Sequence, residues 1–120
     1  MRRLRFLYIV VFLLTAYAVN GIAGSVSKTI NTENTWTDSF SPTYQNTKGN
    51  MNISVIYSDS GSATTRLQRT FNNGSTWGQV KSYTESGENM LIDQEAGVRY
   101  RIGVATGEYG TGTIVVRLSN

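Results

Sequence analysis

The chain has 120 residues, with 11 basic and 8 acidic side chains, no cysteine and no histidine. That length accommodates one domain. The missing residue types exclude, within this chain, disulfides, thiolate nucleophiles, Ser–His–Asp and Cys–His catalysis, and zinc held by imidazole or thiolate. Three of the basic residues are Arg2, Arg3 and Arg5, and the remainder carries eight residues of each sign. A neutral remainder offers no basic face, so nucleic-acid binding is not expected.

Residues 1–24 differ from the rest of the chain. The three arginines precede an uncharged, largely apolar run of 14 residues, Phe6 to Val19, with an Ala-x-Ala pattern at 16–18. This order is typical of a secretory signal peptide, and the run is shorter than the ~20 residues of a membrane-spanning helix. A cleaved export signal is the favoured interpretation. The alternatives are a hydrophobic anchor helix through residues 6–23, with its arginines on the cytoplasmic side, and a mistaken gene start.

From residue 25 onward, apolar residues recur at every second position. One run places Met51, Ile53, Val55 and Tyr57 on one face, and another places Val98, Tyr100, Ile102 and Val104 inward. Alternation of this kind marks half-buried strands. Seven or eight such strands, divided by turn-forming residues, predict an all-β domain over residues 25–120. The expected architecture is an antiparallel β-sandwich, immunoglobulin-like or jelly-roll-like.

Two hairpins are predicted from the turns between these runs. The first joins residues 64–71 to 76–84 across the turn 72–75, and the second joins 98–105 to 112–119 across the glycine-rich segment 106–112. The apolar faces of two sheets would then form the core. The apolar contributions expected from the first hairpin are Leu67, Phe71, Trp77 and Val80.

The turn of the first hairpin carries a spaced pattern of small polar residues. It reads Thr-x-Asn-x-Gly-x-Thr-Trp, formed by Thr70, Asn72, Gly74, Thr76 and Trp77. An Asn side chain accepts hydrogen bonds from backbone N–H groups across a turn, and glycine takes the left-handed conformation there. We expect the threonine to add a hydroxyl bond and the tryptophan ring to cover the turn. The pattern therefore predicts a structural hairpin lock.

The pattern is similar to the Asp-box, also called the BNR repeat, of sialidases, with Asn72 where Asp is usual. In sialidases these boxes lie at propeller blade corners, away from the catalytic centre. This chain holds one box and is too short for a propeller. The resemblance therefore implies a structural role and no catalysis.

A wider resemblance covers the segments 34–42, 67–77 and 98–119. They are similar to a group of small β-sandwich proteins encoded among the virion genes of tailed bacteriophages. The matching positions are Trp36, Thr37, Asp38, Leu67, Gln68, Arg69, Phe71, Gly74, Trp77, Tyr100, Arg101, Tyr109, Gly112 and Arg117. The resemblance implies a non-enzymatic virion structural protein, such as a head decoration, fibre or tail-surface module. Its partners would be capsid or tail proteins in a multi-copy assembly.

The leader departs from that bacteriophage pattern and supports a second hypothesis. In it the chain is a secreted or membrane-anchored cell-surface binding module, with carbohydrate as the candidate ligand. Its recognition surface would be built from Tyr44, Tyr83 and Tyr109, because aromatic side chains are favoured at recognition surfaces. The favoured interpretation of these tyrosines is that they cap the ends of the core.

The remaining polar residues predict neither a catalytic site nor a cofactor. Asp93 and Glu95, like Glu85 and Glu88, are acid pairs that we interpret as solvated turn residues. A calcium site combining Asp59 with Asn72 or Asn73 is the less favoured interpretation, because turn formation explains the same residues. A small basic patch from Arg66, Arg69, Arg99 and Arg101 is likewise weighed against the favoured interpretation, a solvated strand face.

Overall fold

The computed structural model describes residues 24–44 and 48–120, and all strand pairs in them are antiparallel. The all-β prediction is confirmed. The leader lies outside the described residues except for Gly24, and so do all three interpretations of it. The described part of the chain contains no helix with the length and apolarity that a membrane crossing needs. The strands are β1 (Ser25–Ile30), β2 (Thr35–Trp36), β3 (Asn50–Tyr57), β4 (Ser62–Ala63), β5 (Thr65–Thr70), β6 (Gly78–Tyr83), β7 (Gly87–Ile92), β8 (Arg99–Val104), β9 (Tyr109–Thr111) and β10 (Ile114–Ser119).

The strands form two four-stranded sheets and one small ribbon. Sheet A has the order β1-β10-β3-β7, sheet B has the order β2-β8-β5-β6, and β4 pairs with β9. The longer strands of both sheets have six to eight residues. Two antiparallel sheets with a shared core agree with a sandwich-like fold, and the finer immunoglobulin-like or jelly-roll-like assignment stays a prediction.

The core lies between the inner faces of the two sheets. Met51, Ile53 and Val55 of β3 are buried, as are Ile102 and Val104 of β8. The period-two prediction is therefore confirmed for both runs. Fully burying an aliphatic side chain of this size contributes roughly 1.5–3 kcal/mol. Burial from both sheets is thus the main favourable term holding them together.

The predicted terminal hairpin is wrong. β8 pairs with β2 and β5 in sheet B, whereas β10 pairs with β1 and β3 in sheet A. The segment between β8 and β10 begins with a turn, in which the Glu108 N–H donates to Ala105 O at 3.1 Å. The turn is followed by β9, which pairs with β4. The chain thus crosses from one sheet to the other at this point. Alternation identified both strands correctly but carries no information about which strands are neighbours.

The first predicted hairpin, β5–β6, is present, with a β-bulge. Leu67 lies opposite Lys81 and Gln68 opposite Gln79, which leaves Val80 as the extra residue. Leu67 is buried as predicted, but Val80 is 40% exposed and Phe71 is 72% exposed. The prediction that these two enter the core is therefore wrong, and Trp77 lies outside the core as well. The bulge displaces Val80 from the ladder, and Phe71 lies beyond the end of β5.

The two ends of the described domain meet. The Asn120 N–H donates to Gly24 O at 3.0 Å, just beyond the pairing of Ser25 with Ser119. Gly24 therefore lies next to Asn120, at the end of sheet A where β1 begins.

β6 and β7 are edge strands, as are β2 and β1 on the opposite sides of the same two sheets. The Asp93 N–H donates to Gly49 O, toward β3. Because backbone N–H groups along an antiparallel strand alternate in direction, the Met90 N–H points away from β3. Asn89 Oδ1 accepts that N–H at 2.9 Å. On β6, the bulge at Val80 interrupts the edge. Both features blunt edges that would otherwise offer free backbone groups to another chain.

Candidate functional site

The turn between β5 and β6 is held by side-chain hydrogen bonds centred on Asn72. The Thr70 hydroxyl donates to Asn72 Oδ1 at 2.8 Å, and the Thr76 N–H donates to the same oxygen at 3.0 Å. Asn72 Nδ2 donates to Thr76 Oγ1 at 2.8 Å. The Gly74 N–H donates to Thr70 Oγ1 at 3.0 Å. The hydrogen bonds predicted for Asn72 and Thr76 are formed, and each contributes about 0.5–1.5 kcal/mol net.

The tip of this turn has a left-handed backbone. Asn73 has φ 58° and Gly74 has φ 87°, a region open to glycine and tolerated by Asn. A Cβ added at Gly74 would lie 3.5 Å from Trp77 Cζ2. The Trp77 ring is therefore packed against the turn, and the hydrogen-bonded corner positions it.

Trp36, Arg101 and Trp77 form a stack on the outer face of sheet B, called here the Trp–Arg–Trp stack. Arg101 Cζ lies 4.1 Å from the centre of the Trp36 ring and 4.4 Å from that of the Trp77 ring. Arg101 Nε donates to Gln68 Oε1 at 2.8 Å, and Gln68 is 7% exposed. Each cation–π contact contributes about 0.5–2 kcal/mol. Burial lowers the pKa of Arg101, but a guanidinium keeps its charge at neutral pH.

The sequence does not predict this stack, although Trp77 belongs to the predicted lock. The missing information was the pairing of β2 with β8, which sets Trp36 opposite Gly103. A Cβ at Gly103 would lie 2.1 Å from Thr35 O and 2.7 Å from Trp36 Cα. The available signal was a glycine at an outward strand position, which indicates close approach of another backbone.

The predicted acid pair, Asp93 and Glu95, belongs to a cluster that joins the sheets. Arg69 Nε donates to Asp93 Oδ2 at 2.8 Å, and Arg69 Nη2 pairs with Glu95. The buried Tyr100 hydroxyl donates to the same Asp93 oxygen at 2.6 Å. Burial alone would raise the pKa of Asp93, but the hydrogen bonds from Arg69 and Tyr100 outweigh it and keep that pKa below its usual range. A carboxyl group that acts as a catalytic acid near neutral pH requires a raised pKa instead.

The arginines considered for a basic patch are largely neutralised by ion pairs. Arg66 pairs with Glu108 at 2.6 Å, and this hydrogen bond lowers the pKa of Glu108. Arg69 is bound to its two carboxylates as described. Arg99 Nη1 donates to Ser39 Oγ at 3.1 Å. The solvated-face interpretation fits Arg66, whereas Arg69 bridges the two sheets and Arg101 is set apart by its stacking.

Of the three tyrosines of the predicted recognition surface, Tyr44 lies apart from Tyr83. Tyr83 and Tyr109 pack against the core, and the Tyr109 hydroxyl donates to Gly112 O at 2.7 Å. Tyr83 lies opposite Thr65, at one end of β5. Tyr44 lies four residues after Phe40, which forms a bridge with Tyr100. Tyr100 is paired with Arg69, near the other end of β5. The register therefore does not bring Tyr44 together with Tyr83.

The residues considered for calcium do not converge. Asp59 lies in the turn before β4, where Ser58 Oγ accepts the Thr113 N–H at 3.0 Å. Asn72 lies beyond the opposite end of β5. Within residues 24–44 and 48–120, no three His, Cys, Asp or Glu side chains cluster to hold a metal ion.

A shallow groove borders the hairpin turn. It encloses about 350 Å³ and its apolar walls come from Phe71, Trp77 and Val80. Trp77 therefore takes part in both this hairpin groove and the Trp–Arg–Trp stack. A broader depression of about 610 Å³ lies on the outer face of sheet A, beside Ser54, Glu88 and Arg117.

The fold and these surfaces define an all-β, sandwich-like domain with a braced hairpin and an aromatic–arginine stack on one outer face. Comparison with models of known families, with curated proteins and with solved structures yields no match in any of the three.

Proposed function

We propose that this chain is a non-enzymatic structural protein of a bacteriophage virion, a head decoration, fibre or tail-surface module that acts through protein–protein contacts. The observation that carries the proposal is a sandwich braced by ion pairs with large apolar side chains on its outside. Phe71 is 72% exposed and Met90 is 63% exposed. Phe71 also shares the hairpin groove with the exposed Val80, and adjacent exposed apolar groups rimmed by polar residues are typical of protein interaction surfaces. The bacteriophage resemblance supplies the class of partner, capsid or tail proteins.

The proposal is tested by purifying particles from the native source on density gradients and quantifying this chain by mass spectrometry. We expect it in the particle fraction at a copy number that matches a symmetry of the particle. Isolation of the chain as free protein alone would contradict the proposal. The same spectra report the N-terminus. An intact Met1 or Arg2 indicates anchoring or assembly with the leader, whereas a start near Val19 or Gly24 indicates export.

The second candidate is a secreted or membrane-anchored cell-surface binding module with a carbohydrate ligand. The Trp–Arg–Trp stack favours it, because aromatic side chains with a few fixed polar groups typically line small-molecule sites. A glycan array with the full chain is the test. Binding that is lost in Trp36→Ala and kept in Tyr44→Ala would support this function, and an array without signal would remove it.

A further inference from the structure

Arg101 differs from the other partly buried arginines in the described part of the chain. Arg66 pairs with Glu108, and Arg69 pairs with Asp93 and Glu95. Arg101 makes one hydrogen bond, from Nε to Gln68, and faces two rings. Its two Nη atoms carry four N–H donors that have no acceptor among the described residues. Partial burial of a cation without an anion is unfavourable unless a partner or a ligand compensates.

The stack is rigid before any ligand arrives. Trp77 packs against the corner fixed by Thr70 and Asn72. Trp36 lies against Gly103, where there is no space for a side chain. Because these contacts already restrict the guanidinium, binding an anion there costs little side-chain entropy. A planar guanidinium matches the two oxygens of a carboxylate.

The hairpin groove adds an apolar component beside this cation. Phe71 and Val80 are exposed, and Trp77 joins the groove to the stack. Arg69 also borders the groove, but its charge is neutralised by ion pairs with Asp93 and Glu95. An apolar group seated against Phe71 or Val80 would thus contact Trp77, whose ring also faces the Arg101 guanidinium. Side chains of a protein supply both an apolar group and a carboxylate, whereas a neutral sugar has no carboxylate to pair with Arg101.

We propose that the Trp–Arg–Trp stack and the hairpin groove together bind a partner protein through an acidic side chain adjacent to a large apolar one. The acidic side chain pairs with the Nη atoms of Arg101, and the apolar one packs between Phe71 and Val80. The inference deepens the proposed function, on which it rests for the partner being a protein. Tryptophan and arginine are also the residue types that most often dominate binding energy at interfaces.

The chain offers a direct readout, because its two tryptophans are the two rings of the stack. The full chain is titrated with the capped peptide Gly-Phe-Glu-Leu-Gly while tryptophan emission is recorded. Its glutamine analogue, Gly-Phe-Gln-Leu-Gly, and free glucuronate are titrated in parallel. We expect saturable binding with a Kd on the order of 1 mM, at least about tenfold tighter than either comparison ligand. We also expect the affinity to fall as salt is raised.

Variants assign the binding to these residues. Arg101→Gln is expected to abolish the response, and Arg101→Lys to weaken it, because an ammonium keeps the charge without the planar fork. Phe71→Ser is expected to weaken binding of the same peptide without altering the stack. Arg99→Gln, on the same strand face, is the matched control and is expected to bind as the wild type does. Circular dichroism confirms the folding of each variant, and the lysine and serine variants keep the test decisive if the glutamine variant unfolds.

Three results would overturn the proposal: equal binding of the glutamate and glutamine peptides, no response to either, or tighter binding of glucuronate. The last would assign the site to acidic sugars. Failure of the proposed virion function can be distinguished from failure of this binding site. Selective peptide binding by a chain that is absent from particles contradicts the virion role alone, whereas particle association that survives Arg101→Gln contradicts this site alone.

Discussion

Asn72 shows how one amide side chain organises a turn. Its oxygen accepts from Thr70 Oγ1 and from the Thr76 N–H, and its Nδ2 donates to the Thr76 hydroxyl. A carboxylate could accept the first two bonds equally well, and the Thr76 hydroxyl could rotate to donate to it. The position therefore requires an acceptor of this shape and not a particular charge.

We expect Asn72→Asp to leave the free energy of unfolding within about 0.5 kcal/mol of wild type at neutral pH, as for substitutions that keep their contacts. Asn72→Leu removes the acceptor, leaves the Thr76 N–H unpaired, and should cost about 2 kcal/mol. Urea unfolding of both variants at pH 7 measures the difference. Equal stability of the two variants would show that the network contributes nothing.

Gly103 is the residue on which the placement of Trp36 depends. Gly103→Ala should cost about 2–3 kcal/mol, as overpacking does, and should move Trp36 away from Arg101, because the new Cβ meets Thr35 O at 2.1 Å. Gly87→Ala is the matched control, since nothing lies within 4 Å of a Cβ there. Urea unfolding and tryptophan emission measure both effects. Similar behaviour of the two variants would contradict the steric explanation.

At the scale of elements, polar bridges fix the two sheets to each other at both ends of the core. At one end, Asp93, just after β7 of sheet A, accepts from Arg69 and Tyr100 of sheet B. At the other, the Tyr57 hydroxyl of β3 lies 2.7 Å from Thr65 Oγ1 of β5. Apolar burial sets how strongly the sheets associate, whereas these directional bonds set how they are aligned.

The Asp93 bridge predicts a pH dependence. Its folded pKa lies below the unfolded value of about 3.9. The stabilisation is therefore complete above the unfolded pKa and is lost as the pH falls through the folded pKa, because the unfolded chain binds the proton first. Asp93→Asn should cost about 2 kcal/mol at pH 7, and the deficit should shrink below about pH 4. Urea unfolding from pH 2 to 7 measures it, and a deficit that stays constant with pH would contradict the account.

Strand positions and faces were predictable from the sequence, because alternation reports burial directly. Met51, Ile53 and Val55 show this, as does the β5–β6 hairpin with its short Asn–Gly turn. Neighbouring strands were not predictable, since β8 and β10 have the same pattern whether they pair or pack face to face. The Trp–Arg–Trp stack depends on such a pairing between distant segments. The residues of the stack were therefore visible in the sequence, but their contact in the fold was not predictable from it.

At the scale of the whole molecule, the edge strands influence whether copies of the chain associate. The Met90 N–H on the β7 edge is occupied by Asn89 Oδ1. Asn89→Ala should free that donor and increase concentration-dependent association, because an edge with free backbone groups pairs with other strands. Light scattering over a concentration series measures it. Asn52→Ala, on an inner strand of the same sheet, is the control, and equal association of both variants would contradict a protective role for Asn89.

The position of β10 has a consequence for biosynthesis. This strand is the last of the ten described strands along the chain, yet it lies between β1 and β3 in sheet A. Until β10 has emerged from the ribosome, β1 has no partner strand in that sheet. Sheet A therefore closes only after β10 is free, whereas the strands of sheet B can pair earlier.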